Sequence, residues 1–115
     1  MTDEEFVRAI RLGMIDENAA LYEESLRTTN SSEVTDESFA LVQNLFQRLS
    51  GEDQKTLLLL VRLAMVDTVS NIFGLLDGVC TVDGVPDLVL SDAAGQKLSG
   101  DLQDHFLAQE EEERG

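Results

Sequence analysis

Apolar positions recur at three- and four-residue intervals along most of the chain. Phe6, Ile10, Met14 and Leu21, with Val7 and Ala20 beside them, trace one face of a helix predicted over about Asp3 to Leu26. Thr2 precedes Asp3, Glu4 and Glu5, an N-cap followed by carboxylates where the helix dipole favours them. Gly13 sits inside this helix at some cost in propensity. Its other face carries Arg8, Arg11, Asp16, Glu17, Glu24 and Arg27 and is predicted to be solvated. Thr28 to Thr35 has no apolar pattern and reads as a loop, after which Asp36 or Thr35 caps a second helix. Phe39, Leu41, Val42, Leu45, Phe46 and Leu49 give that helix a broad apolar face.

Ser50-Gly51-Glu52-Asp53 forms a tight break that resembles a capping box, with Asp in place of the usual Glu or Gln. A third helix is predicted from about Glu52 to Asp77, ending at Gly78, the residue type that accepts a left-handed terminal conformation. Leu57 to Val61 is an unbroken apolar run, and apolar residues dominate onward to Leu76. A helix apolar nearly all round is expected to be buried nearly all round, with the other elements packed against it. One stripe breaks the pattern: Asp67, Ser70, Asn71, Gly74 and Asp77 share a face by helical spacing. Beyond Gly78, Asp83-Gly84 marks a turn. Asp87 to Leu90 and Gln96 to Leu98 form the arms of a short β-hairpin around Ser91 to Gly95. A last helix begins at Ser99 or Gly100, turns Leu102, Phe106 and Leu107 inward, and frays from about residue 109. The expected fold is mainly α and a single domain over residues 1–115. Three long helices, with the third buried at the centre, are joined by a short β-hairpin and a short C-terminal helix.

Charge changes this picture more than composition does. Hydrophobic residues (43%) and charged residues (27%) are at ordinary globular levels, so a packed core is expected. The formal net charge, however, is −15. Such a surface repels phosphate backbones and anionic lipid, which argues against nucleic-acid and membrane partners and favours a basic protein. Solubility alone is the plainer explanation. Cys80 is the one cysteine, so no disulfide closes within the chain. With no basic residue near it in sequence, it reads as an inert thiol. The N-terminus lacks the basic-then-apolar order of a secretory leader. Leu57 to Leu76 matches a membrane in length but carries Arg62, Asp67 and Asn71, each costly in lipid. A cytoplasmic protein is expected.

Little in the chain suggests catalysis. His105 is the one histidine. Asp101 and Asp104 flank it without a second histidine or a cysteine to complete a metal set, so neither metal nor cofactor is expected. No nucleophile elbow, phosphate-binding glycine loop or cysteine–histidine pair occurs, and Ser70 has no base in sequence. The Asp67–Asp77 stripe reads first as a structural anchor for the C-terminal segment, with Asp67 or Asn71 accepting backbone N–H groups from the loop or hairpin. Its second reading is a ligand face formed by Asp67, Ser70, Asn71 and Asp77. The contact acids expected for a basic partner are Asp16, Glu17, Glu24, Glu52 and Asp53, with the terminal glutamates.

Two motifs, DTVSNIFGLLDG (Asp67 to Gly78) and LSGDLQDHFL (Leu98 to Leu107), in this order resemble a family of small bacterial proteins. That resemblance covers the second half of the chain and implies helices followed by a short hairpin and a terminal helix. It implies no catalytic residues. At the level of class, small acidic helical bacterial proteins resemble immunity proteins of interbacterial toxin systems. The implied function is neutralisation of a basic toxin domain by direct binding. The alternatives are a homodimeric structural or regulatory module, with surplus apolar surface on the second helix as the interface, and a small-molecule binder or enzyme using the polar stripe.

Overall fold

The computed structural model describes residues 1–28 and 36–114. The predicted loop over residues 29–35, and Thr35 as a cap, lie outside the described residues. The chain is mainly helical: α1 (Asp3–Ile10), a π-helical turn (Arg11–Asp16), α2 (Glu17–Arg27), α3 (Glu37–Arg48), α4 (Gly51–Leu76) and α5 (Leu102–Arg114).

Local chemistry sets the helix starts. Thr2 Oγ1 accepts from the Glu5 N–H at 3.1 Å. The Asp36 carboxylate accepts from the N–H groups of Ser38 and Phe39. Ser50 Oγ accepts from the Asp53 N–H at 3.1 Å. Helix α4 stops where Gly78 takes φ +78°. There the Val79 N–H bonds the Gly74 carbonyl and the Gly78 N–H bonds the Leu75 carbonyl, the paired arrangement of a glycine-terminated helix. The first predicted helix is continuous in course but changes pitch at Arg11–Asp16. The extra residue per turn aims Arg11 and Ile15 inward, and both are buried.

The main core joins α1, the C-terminal half of α4 and α5. Val7, Ile15, Val66, Phe73, Leu102 and Phe106 are its buried members. The Phe73 ring meets Phe6 and Phe106 edge-on, at centroid distances of 6.2 and 5.5 Å. A smaller cluster holds α2 to α3 through Leu26 and Phe46, with the Arg27 guanidinium 5.4 Å from the Phe46 ring centroid. Helix α3 packs on α2 rather than on α4. The molecule is accordingly long, 47 × 35 × 26 Å, with a radius of gyration of 17.3 Å. A compact chain of this length would have about 13 Å.

Three expectations are corrected. Helix α4 is not buried all round: only 22% of its most apolar 18-residue window is buried. Its second half packs on α1 and α5 along one side, while its first half meets α2, the π-helical turn and the end of α5 and is otherwise open. The predicted hairpin reduces to one isolated antiparallel bridge, Ser91 with Lys97. Side chains displace the ladder there: the Leu90 N–H donates to Ser99 Oγ, and the Asp92 carboxylate accepts from the N–H groups of Ala94 and Gln96. The acidic tail does not fray at residue 109. Helix α5 continues to Arg114, because Gln109 and Glu110 are buried and Glu113 is tied by arginines.

Candidate functional site

The polar stripe of α4 divides in two. Ser70, Gly74 and Asp77 face α5 and form the anchor. Asp77 Oδ1 accepts from the N–H groups of Gly100 (2.7 Å) and Leu102 (3.1 Å), and Oδ2 accepts from Gln103 (2.8 Å). One carboxylate thus caps α5 from a distant helix, at the end where the helix dipole favours negative charge. Gln103 Nε2 donates to the Ser70 carbonyl (3.0 Å) and to Ser70 Oγ (3.2 Å). Gly74 permits this approach: a Cβ there would stand 2.7 Å from Cys80 Sγ and 2.9 Å from Gln103 Nε2. Asp67 and Asn71, the residues expected to anchor, are exposed and accept no hydrogen bond among the described residues. A carboxylate of the stripe holds the start of α5, but it is Asp77, six and ten residues beyond the expected Asn71 and Asp67.

The contact acids are likewise unequal. Asp16 is half-buried and receives the Arg62 guanidinium at 2.8 Å, so its charge is already matched. Glu17, Glu24, Glu52 and Asp53 are exposed and have no ion-pair partner among the described residues. Arg27 Nη1 donates to Gln54 Oε1 at 3.3 Å, which sets the last turn of α2 beside the first turn of α4. Glu24, Glu52 and Asp53 therefore share one end of the molecule, with Glu17 two turns away along α2.

An ion cluster that the sequence did not reveal forms beside the middle of α4. Arg11 is only 3% exposed; its Nη2 lies 3.0 Å from Glu110 Oε1 and 2.7 Å from Glu113 Oε2. Arg62 adds contacts to Glu110 (3.4 Å) and Glu113 (3.3 Å) beside its pair with Asp16. Burial lowers the Arg62 pKa, but the hydrogen bond and charge of Asp16, then the charges of Glu110 and Glu113, outweigh it and leave the value raised. The cluster ties the π-helical turn and α4 to the end of α5. Arg62, alone in an apolar run, was its one visible signal.

His105 also ties helices together. Its Nε2 lies 3.0 Å from Asp3 Oδ2, and its Nδ1 lies 3.7 Å from Glu4 Oε1. Asp3, Asp101 and His105 bring three possible ligand atoms within 4.8 Å of one another, with Asp3 where Asp104 was expected. Three partly exposed donors without a further histidine or cysteine fit a helix-to-helix tie at least as well as a metal.

The largest unexplained feature is apolar. Leu41, Val42 and Leu45 on α3 and Leu59 and Leu60 on α4 are exposed, Leu41 to 71% and Leu60 to 60%. A shallow cleft between α4 and the segment from the π-helical turn into α2 is lined by Met14, Asn18, Ala64, Met65, Thr68 and Val69. Helix α4 is long and apolar enough to cross a membrane by length and composition. Crossing would draw Arg62 and Asp67 into hydrocarbon, at about 2.5–3.5 kcal/mol each. It would also strip Arg62 of Asp16, Glu110 and Glu113. Comparison with family models, with curated proteins and with solved structures gives no match.

Proposed function

We propose that this chain is a non-catalytic binding module that works in the cytoplasm by docking to protein. The observation that carries the reading is the uncovered apolar length of α4 and α3, since exposed patches of this kind mark interaction surfaces in folded proteins. Ser70, the hydroxyl of the polar stripe, accepts from Gln103 Nε2 in a helix-to-helix contact, which fits this reading. Within this reading, the exposed acids Glu17, Glu24, Glu52 and Asp53 support an immunity-type role in which a basic toxin domain is captured and blocked. Opposite fields would speed that encounter. The small-molecule reading is weakened, because both carboxylate oxygens of Asp77 are engaged by backbone N–H groups.

The test is capture of partners at low salt, followed by titration of the purified candidate against wild type and the Glu17→Lys/Glu24→Lys/Glu52→Lys variant. Binding that weakens with salt and with charge reversal is the expected result. Binding indifferent to both would remove the acidic face from the mechanism. A partner turned over chemically would overturn the non-catalytic reading.

A further inference from the structure

We infer that the α3 face and the N-terminal half of α4 are covered by a second copy of this chain. The inference rests on the docking reading above and names the occupant of its apolar part. The accessible surface of the chain is 7793 Å². A compact monomer of its mass exposes about 6,200 Å², so each copy carries an excess on the order of 1,500 Å². Part of that excess is the exposed apolar face of α3 and α4, and a contact of standard size draws about 800 Å² from each copy.

Charge distribution selects a copy of itself over a basic partner. The chain carries −15, but residues 36–61 hold only four acids (Asp36, Glu37, Glu52, Asp53) against two bases (Arg48, Lys55). Residues 38–47 and 56–61, which supply the exposed Leu41, Val42, Leu45, Leu59 and Leu60, contain no charged residue at all. Across a two-fold axis every side chain near the centre meets its own counterpart, so a like charge there would face itself. A surface that excludes charge in so acidic a chain satisfies that demand. A basic ligand would find its complement elsewhere. Helix α3 packs on α2, and Leu41, Val42 and Leu45 on its outer side are left without cover. Glu17 and Glu24 lie on α2, outside the two charge-free segments, while Glu52 and Asp53 open α4 and border the second of them.

The experiment is sedimentation velocity of the full chain at micromolar and submicromolar concentration, on wild type and on Leu59→Lys/Leu60→Lys, with far-ultraviolet dichroism as a check on folding. The expected result is a wild-type mass of about twice 12.7 kDa. The helical variant is expected to run as a single copy, because both leucines are exposed in the isolated chain and the lysines disturb only the contact. A wild-type mass of one copy at every concentration overturns the proposal, while leaving the docking of a foreign protein to its own test. A dimer that survives the double substitution overturns the assigned face. Should the variant lose its helical signal, Leu41→Lys on α3 repeats the test from the other helix, and the wild-type mass decides independently.

Discussion

Replacing Asp77 by alanine should destabilise the protein more than any change on the exposed part of the same stripe. The carboxylate accepts three backbone N–H groups, from Gly100, Leu102 and Gln103, at 2.7 to 3.1 Å. Loss of an ordinary N-cap costs about 1 kcal/mol and at most about 2. Here three donors lose a charged acceptor in a half-buried setting, although water can reach some of them, so the cost is about 2–4 kcal/mol. With an unfolding entropy of about 2.1 cal/mol/K per residue, each kcal/mol shifts the midpoint of a chain this size by about 4 °C, so the expected fall is roughly 8–16 °C. Asn71→Leu, six residues earlier and exposed, should stay within about 2 °C of wild type. The assay is thermal unfolding followed by circular dichroism, with all variants at one fixed protein concentration. A small effect of Asp77→Ala, or an equal effect of Asn71→Leu, would refute the assignment of the anchor.

The ion cluster makes two further expectations. Arg11→Met leaves the 5%-exposed Glu110 with only the longer Arg62 contact and should cost about 3 kcal/mol, much of it recovered in Arg11→Met/Glu110→Gln; denaturant titration checks both. The Arg62 pKa is raised in the folded state, so its stabilisation is complete at any pH below its ordinary value and is lost only on further alkalinisation. The difference in melting temperature between wild type and Arg62→Met should therefore hold constant from neutral to mildly alkaline pH. Shrinkage over that range would contradict the stated direction.

What was legible in the sequence was local. Thr2, Asp36 and Ser50 cap the helices they precede, and Gly78 ends α4, because each device acts within a few residues. What was not legible acts at a distance. Ser99 or Gly100 offered a local start for α5, yet the cap comes from Asp77, up to 26 residues upstream, and Ser99 is spent on Leu90. Arg11 and Glu110 are 99 positions apart. Their pairing also depends on a change of helical pitch that no residue in Arg11–Asp16 announces. The acidic tail looked free because its binding partners are two arginines on other helices.

The error over α4 has a different origin. An unbroken apolar run says that water will be excluded, but not by which chain. If a second copy excludes it, part of the folding free energy belongs to association, and stability becomes a function of concentration. Each tenfold dilution then removes about 1.4 kcal/mol from the dimer. Spread over the unfolding entropy of two chains, about 0.48 kcal/mol/K, this lowers the wild-type midpoint by roughly 3 °C per decade. Calorimetry or dichroism over two decades of concentration would resolve such a slope. Leu59→Lys/Leu60→Lys should melt lower and show no slope. A wild-type midpoint that does not move with dilution would mean that the folded single chain bears its exposed leucines unaided. The surface of α3 and α4 would then stand uncovered until a different protein arrives.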